Sequence, residues 1–242
     1  MALIVFTVAW YFIRPANADV MKIETGIGSG YEIMDKHVPI SDEVVAQGSF
    51  FYVWDRGFYA GVWGSNNIDS FDSNFGNNSG AELDFIVGWA GDVSHGVTLN
   101  VSAAEWLYPG SSNDFSVLNG KASRKFSLET NHTIEPYVGL EGQWTDNDSV
   151  AIGHIGLIDR FTFREITLVN EGRFNFFDEG TKTFVYLASV EIPLRKGVAL
   201  VPFYRSSYYF GSGDCIKVHC GPTICDHSDW DSEGGLKVSM TF

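Results

Sequence analysis

Strict alternation of apolar and polar residues recurs along this chain, and it restricts the possible folds more than any other feature. In residues 236–242, Leu, Val, Met and Phe take turns with Lys, Ser and Thr, and the same period appears in 82–89, 97–102 and 183–192. A period of two puts successive side chains on opposite faces of a β-strand. Helical periodicity is hard to find, so the sequence predicts an all-β protein made of half-exposed strands.

The alternating segments predict about twelve antiparallel strands, an even number that is typical of bacterial outer-membrane barrels. The predicted strands are 22–33, 47–54, 57–64, 81–91, 96–107, 114–128, 133–144, 151–162, 164–174, 183–194, 197–211 and 234–242. Several of these have the length of about 9 to 11 residues that a tilted strand needs to cross a bilayer. A terminal strand ending in an aromatic residue, here Phe242, looks like the last strand of such a barrel.

Short and long connections alternate between the predicted strands. The short ones are Asp55-Arg56, 92–95 and Arg195-Lys196. The long ones are 34–46, 65–80, 145–150, 175–182 and 212–233. This asymmetry favours an up-and-down transmembrane barrel with both termini in the periplasm over a soluble sandwich. One alternative stays open in 114–133, where Asn119-Gly120 could form a hairpin turn and change the strand count.

The N-terminal segment 1–18 has the features of a secretory signal. An apolar run is followed by Arg14-Pro15 and by Ala16-Asn17-Ala18, a small-x-small cleavage site. The predicted mature domain is therefore 19–242, exported through the periplasm. Gly, Asn, Asp and Ser interrupt every later stretch, so the sequence predicts no helical membrane span.

The chain is strongly acidic, with 30 Asp and Glu against 16 Lys and Arg and a formal net charge of −14. Such a surface repels nucleic acid, which excludes nucleic-acid binding as a function. The aromatic content of 15% and the 26 glycines suit a barrel with aromatic girdles, but they also suit many secreted sandwiches. Composition therefore does not decide between these two folds.

Part of the chain resembles a known family. The segment 57–66, Gly-Phe-Tyr-Ala-Gly-Val-Trp-Gly-Ser-Asn, resembles the signature hairpin strand of the TorF family of proposed porins, also catalogued as the Gcw_chp family. The segments 45–50, 81–91 and 106–110 fit the same family. An Arg-Gly pair that such families carry after the first strand is replaced here by 31–35. The resemblance implies an outer-membrane β-barrel that conducts small solutes, and it implies no specific substrate.

If the apolar residues face lipid, the opposite set lines the lumen. The predicted pore-lining residues are Glu24, Glu82, Asp84, Glu135, Glu141, Glu171, Arg173, Glu191, Arg205 and Lys237, and the same face also carries Lys22 and Glu32. Eight acids against four bases would favour cations in a water-filled pore. Alternatively, these acids and bases pair into a closed network that fills a narrow barrel.

Three other groups of residues invite a chemical function. The cysteines Cys215, Cys220 and Cys225 lie close to His219 and His227, but the spacing is not that of a zinc finger, and a disulfide between two of the cysteines is favoured over a metal site in an exported protein. The loop 65–80 is rich in oxygen ligands. A calcium-binding EF-hand starting at Asp72 would need an acid where Leu83 stands, so a solvated loop is the better interpretation.

Histidines 95, 132, 154 and 219 lie in no recognisable hydrolase motif. The sequence therefore predicts a porin for passive diffusion, with no enzymatic activity, no metal and no cofactor. A non-conducting structural or adhesive barrel is the second hypothesis, and a lipid hydrolase is the third. The expected partners are outer-membrane lipids and lipopolysaccharide, the barrel-assembly machinery and small solutes. Most of the tryptophans, among them Trp54, Trp63, Trp106 and Trp144, are predicted to form an interfacial belt.

Overall fold

The fold consists of one large antiparallel β-sheet. The computed structural model describes residues 19–33, 38–67, 81–108, 114–145, 149–177, 182–210, 216–217, 223–224 and 230–242. The strands are β1 (Val20–Ile33), β2 (Val38–Val53), β3 (Phe58–Asn67), β4 (Glu82–Ser94), β5 (Val97–Leu107), β6 (Phe115–Arg124), β7 (Phe126–Glu129), β8 (His132–Trp144), β9 (Ser149–Phe163), β10 (Ile166–Phe177), β11 (Lys182–Arg195), β12 (Val198–Phe210), β13 (Ile216–Lys217), β14 (Thr223–Ile224) and β15 (Trp230–Thr241). The predicted signal segment, 1–18, lies outside the described residues.

The sheet closes on itself and has no free edge. Strand β1 pairs with both β2 and β15, and β6 pairs with both β5 and β8. The short β7 continues β6 toward the turn and pairs with β8, so β6 and β7 count as one strand of the wall. The described strands therefore form a closed antiparallel barrel of twelve strands, as the sequence predicts, and the two-residue β13 and β14 pair separately.

Tight turns join the strands at the end of the barrel where both termini of the sheet lie. His95 and Gly96 have φ angles of 50° and 72° between β4 and β5. Positive φ at both central residues is the geometry of a type I′ turn, whose twist matches that of the flanking strands. Arg164 and Gly197 also have positive φ, in the turns after β9 and β11. These turns correspond to the short connections that the sequence predicts for the periplasmic end.

The alternation is inverted relative to that of a soluble protein. On β4, Glu82 and Asp84 are buried, whereas Leu83, Phe85 and Val87 are 38%, 48% and 58% exposed. The outer wall is therefore apolar and the inner wall carries the charges, which is the arrangement expected when the outside contacts lipid. Among the described residues, no helix is long and apolar enough to span a membrane.

The described strands decide two predictions, one about the loop 34–46 and one about a turn at Asn119-Gly120. The predicted loop 34–46 is wrong in extent, because β2 begins at Val38 and its first residues pair with Glu32 and Ile33 at the end of β1. Pro39 lies at the start of this strand, and proline is tolerated at a strand end or beside a bulge. The register of the hairpin shifts near Tyr31, which marks such an irregularity. Asn119 and Gly120 do not form a turn; they lie in the middle of β6, in register with Ser102 and Val101.

Candidate functional site: the inner wall of the barrel

The ten ionisable residues predicted to line the lumen all lie on strands of the wall, on the face opposite the exposed apolar residues. Eight of them are buried: Glu24, Glu82, Asp84, Glu135, Glu141, Glu171, Arg173 and Arg205. Glu191 and Lys237 are half-buried and line an inner cavity. The side chain of Glu32 lies outside the described residues.

Sequence reasoning missed two bases on this wall, Lys121 and Arg160. Lys121 is buried on β6, and its Nζ lies 3.3 Å from the centroid of the Tyr137 ring. Arg160 on β9 donates from Nη1 to Oε2 of Glu135 at 2.9 Å. The period-two pattern could have found both, since Lys121 is an even step from the inward Asn119 and Arg160 from His154. With these two, and without the exposed residues at the end with the tight turns, the inner wall holds seven carboxylates and six Lys or Arg side chains among the described residues.

One side of the inner wall is apolar and aromatic. A cluster on β2 to β6 includes Phe51, Tyr59, Trp63, Trp106 and Phe115, each less than 5% exposed. The prediction that Trp63 and Trp106 belong to the interfacial belt is wrong, because both indoles point inward and only 1% of each residue is exposed. The physical reason is strand parity, since Trp63 shares its face with the inward-pointing Ser65 and Trp106 shares its face with Ser102.

The opposite side of the inner wall carries a hydrogen-bonded charged network. Glu135 accepts from Arg160 and from the hydroxyl of Ser123, at 2.9 Å in each case. Tyr137 donates its hydroxyl to Glu171. Since each carboxylate has a hydrogen-bond donor, the negative charge on this side is largely compensated.

A cavity of about 310 Å³ opens on the inner wall near the end with the tight turns, between β1, β11, β12 and β15. Its polar lining includes the ion pair of Lys22 with Glu24, together with Glu191 and Lys237. Lys237 Nζ lies 5.3 Å from the centroid of the Phe203 ring. A cavity of this size has room for several water molecules, and its lining offers charges of both signs.

Among the described residues, no base forms an ion pair with Glu82 or Asp84. Oε1 of Glu82 accepts from the Tyr108 hydroxyl at 3.0 Å. Oε2 of Glu82 and both oxygens of Asp84 are buried without a hydrogen-bond partner in the described part of the chain. The two residues lie two apart on β4, which puts both side chains on one face of the strand, with their Cα atoms about 7 Å apart. Two neighbouring carboxyl groups without a base repel each other when both are ionised, so the pair favours a cation or a proton between them.

The histidines considered as catalytic bases lie apart from one another. His154 Nδ1 is hydrogen-bonded to Oδ1 of Asn175 at 2.9 Å on the inner wall. His132 contacts Asp159 on the outer wall, and His95 contacts Ser94 at a turn. The described histidines thus have amide, carboxylate and hydroxyl partners, and the serine partner of His95 is exposed at the end of the barrel that carries the tight turns. The described residues contain no group of three or more His, Cys, Asp or Glu side chains placed to hold a metal ion.

The cysteine-rich segment and most of the oxygen-rich loop cannot be placed. Cys215, Cys220 and Cys225 lie outside the described residues, as do positions 68–80. Within the last loop, only the two short strands β13 and β14 are described, and they pair through Ile216 with Ile224 and Lys217 with Thr223. The disulfide therefore stays a prediction.

The aromatic end of β15 has a defined place in the barrel. Phe242 is 65% exposed, and its backbone N–H donates to the carbonyl of Met21 at 2.9 Å. Phe242 is thereby held against β1 at the end of the barrel with the tight turns. This contact closes the seam between the first and last strands of the sheet.

Comparisons with known proteins agree with this architecture. Residues 36–136 match a family described as "Bacterial protein of unknown function (Gcw_chp)". A search of curated proteins finds no match. Among solved structures, the chain is similar to the KdgM porin in complex with disordered oligogalacturonate, with a TM-score of 0.54, 9% identity and coverage of 92% of this chain and 99% of that one. It is also similar to the NanC porin, with a TM-score of 0.50, 10% identity and coverage of 91% and 98%. The fold of this chain is that of outer-membrane porins.

Proposed function

We propose that the protein is a porin of the bacterial outer membrane that allows passive diffusion of small hydrophilic solutes. The observation that carries this proposal is the inverted wall, with apolar side chains exposed outside and, among the described residues away from the tight-turn end, thirteen Asp, Glu, Lys and Arg side chains facing inward. Charges on an inner wall are useful where water and polar solutes pass, and they are otherwise costly to bury. The similarity in fold to porins supports the same function.

We further propose a mild preference for cations. The numbers of inner acids and bases are almost equal, so the preference depends on position rather than on the total charge. Glu82 and Asp84, at the start of β4 and at the end of the barrel opposite the tight turns, have no paired base among the described residues. A carboxylate centre in a narrow passage attracts cations and repels anions. The bases Lys22 and Arg160 are instead paired with Glu24 and Glu135.

In this proposal, the protein carries out no chemical reaction. It would be exported as the mature domain 19–242 and inserted by the barrel-assembly machinery, which would read the terminal strand ending in Phe242. Lipids and lipopolysaccharide would surround its outer wall. Relationship to the TorF family in particular is supported by the segment 57–66, which forms most of β3.

A non-conducting barrel with a surface role is the second candidate. The observation that favours it is the apolar cluster on β2 to β6, because Phe51, Trp63 and Trp106 narrow the space inside the wall. An aromatic cluster of this kind resists hydration and would reduce ionic current. The two candidates therefore differ in whether the other half of the lumen stays open.

Single-channel recording of the refolded mature protein tests the proposal. Discrete conductance steps, with a reversal potential on the cation side across a potassium chloride gradient, are expected for a weakly cation-selective porin. A correctly folded barrel that gives no steps at any voltage would contradict diffusion and favour the surface role. An anion-side reversal would contradict the cation preference alone.

A further inference from the structure

A chain of hydrogen-bonded polar side chains crosses the outer wall of the barrel, where the other exposed side chains are mostly apolar. His132 Nε2 lies 2.6 Å from Oδ1 of Asp159, and the two side chains are 31% and 36% exposed. Nδ2 of Asn170 donates to Oδ2 of Asp159 at 3.4 Å, and the hydroxyl of Tyr186 donates to Oδ1 of Asn170 at 2.9 Å. We call these four residues the outer polar patch.

Strand register places the patch on the lipid-facing side. Asp159 is paired with Ile134 and Asn170, and it shares its face of β9 with Leu157 and Phe161, which are 45% and 39% exposed. Phe163, two residues closer to the periplasmic turn, is 62% exposed. Asp159 is therefore flanked above and below by apolar side chains and does not lie at the edge of the apolar band. An ionisable residue in this position is unfavourable in lipid and indicates a function.

A shallow groove lies directly above the patch on the same outer surface. It encloses about 580 Å³ and is lined by Pro136, Val138, Ile155, Leu157, Gly172 and Phe174. Gly172 contributes no side chain, and a Cβ added there would come no closer than 3.6 Å to another atom. Close packing of apolar surfaces around small residues is what drives association within membranes, because burial from water contributes little there.

An exposed base lies on the other side of the groove. Arg124 ends β6 on the outer wall, one residue after Ser123, which is paired with Tyr137 of β8. It lines the groove together with Pro136 and lies two strands away from Asp159. Its guanidinium lies 5.1 Å from the centroid of the Phe126 ring, and no carboxylate is paired with it among the described residues. The outer wall thus carries an unpaired cation and an exposed carboxylate on opposite sides of β8.

The two charges lie at about the same depth in the wall. His132 directly follows the turn that precedes β8, whereas its paired residue Phe161 lies three residues before the turn at Arg164. A row of paired residues therefore moves away from the end with the tight turns on going from β8 to β9. On going from β6 to β9, such a row crosses two tilted strand spacings and moves about 6 Å away from the end with the tight turns. Asp159 lies two residues closer to that end than Leu157, which moves it back by about 5 Å. The lateral separation is two strand spacings, or about 10 Å.

From this geometry we propose that the outer wall around β8 is the contact surface for a second copy of the same chain. A two-fold axis parallel to the membrane normal, passing near β8, keeps depth unchanged and exchanges the two sides of the contact. Arg124 of each copy then meets Asp159 of the other, and the grooves face each other across the axis. The contact removes both charges from lipid and pairs each of them with the opposite sign.

A second copy fits this surface better than lipid does. Phosphate-bearing headgroups would be attracted by Arg124 but repelled by Asp159, and acyl chains offer no partner for either. A copy of the chain supplies a carboxylate for Arg124 and a guanidinium for the exposed Asp159 in a single symmetric contact. This inference concerns the outer wall only, so it does not depend on conduction through the lumen.

Charge reversal tests the proposal directly. The protein is reconstituted in phosphatidylcholine bilayers, and the copies per particle are counted by stepwise photobleaching. Wild type is expected to give two copies, whereas Asp159→Arg alone and Arg124→Asp alone are expected to give one, with self-association weakened at least tenfold. An equimolar mixture of the two variants is expected to restore pairs, because each contact then joins opposite charges. A wild type that is monomeric at every protein-to-lipid ratio, or variants that pair as well as wild type, would overturn the proposal.

Two further variants separate assembly from folding. Glu105→Arg reverses an exposed charge on β5, where Glu105 accepts from Ser116 at 2.8 Å, and it is expected to leave two copies per particle. Gly172→Leu places a bulky side chain in the groove, where the Cβ itself is at least 3.6 Å from the nearest atoms, those of Phe184, and the variant is expected to give one copy. The shift in electrophoretic mobility between unheated and heated samples shows whether each barrel has folded. A folded Gly172→Leu variant that remains paired would exclude the groove as part of the contact and overturn the proposed geometry.

Discussion

Tyr137 and Gly156 face each other on β8 and β9, and the tyrosine ring occupies the space above the glycine. A Cβ added to Gly156 would lie 2.4 Å from Cζ of Tyr137. Tyr59 covers Gly88 in the same way on β3 and β4, as do Phe51 and Gly61 on β2 and β3. In each pair, the aromatic ring occupies the space that a side chain on the glycine would take. Such pairs let aromatic side chains pack inside a strongly curved sheet.

Substitution at Gly156 tests this packing. In Gly156→Ala, the new methyl group must displace the Tyr137 ring, whose hydroxyl is bonded to Glu171. Overpacking of this kind is expected to lower the free energy of unfolding by about 1 to 3 kcal/mol. Reversible urea unfolding in lipid vesicles, followed by tryptophan fluorescence, measures this change.

Gly120→Ala is the matched control for that measurement. Gly120 lies on β6, and a Cβ added there has no atom within 4 Å. Its free energy of unfolding is expected to stay within about 0.5 kcal/mol of wild type. Equal stability of the two variants would mean that the Tyr137 ring moves aside without loss and that the pair has no special role.

Neutralising the unpaired carboxylates tests the source of ion selectivity. The double variant Glu82→Gln and Asp84→Asn keeps the side-chain shapes but removes two negative charges that no base compensates among the described residues. At low salt, the cation-to-anion permeability ratio is expected to fall by up to about tenfold, because the local counter-ion concentration falls. Screening should make the effect smaller in 1 M salt. Glu105→Gln on the outer wall should leave the reversal potential unchanged, and an equal shift in that control would argue against a local effect.

The inner and outer tryptophans should respond differently to lipid. Trp54 and Trp144 are each 44% exposed on the outer wall, near opposite ends of the barrel, whereas Trp63 and Trp106 are each 1% exposed inside it. Variants that retain one tryptophan each, reconstituted with brominated phospholipids, should show quenching for Trp54 and Trp144 only, because bromine quenches at contact distance. Quenching of Trp63 by lipid would contradict the assigned orientation of β3.

Thiol titration tests the predicted disulfide in the last loop. In an exported chain, two of Cys215, Cys220 and Cys225 are expected to be joined. The denatured, untreated protein should then contain one titratable thiol, and three should appear after reduction. Three thiols before reduction would exclude the bridge.

The phospholipid turnover of the purified protein separates a porin from a hydrolase. His154 is hydrogen-bonded to Asn175, whose Nδ2 in turn donates to Thr183 at 2.8 Å. No turnover above the rate of a vesicle blank is expected, and His154→Gln should leave that result unchanged. Turnover that disappears in His154→Gln would contradict the proposed function.

The period-two pattern predicts the strands of the wall but not all of their ends, since it places the first residues of β2 (Val38–Val53) in a loop. In β4, the alternation of Glu82 and Asp84 with Leu83 and Phe85 determines both the strand and the face that each residue takes, because a pleated strand has only two faces. Turn residues such as His95 and Gly96 then ended the strands. These are local properties, and the sequence carries them in full.

Position on the barrel was decided by the tertiary structure. The sequence predicts Trp63 and Trp106 to lie in the belt, because both are near predicted strand ends. Strand parity puts them on the inner face, and closure of the sheet brings them next to Phe51 and Phe115. Arg160 gained Glu135 as a partner because β8 and β9 pair in one register, which no local pattern specifies. The distance between Arg124 and Asp159 likewise depends on strand tilt and stagger. Sequence periodicity determined which side of a strand each residue takes, whereas register and closure determined which residues meet, because contacts between strands depend on the whole sheet.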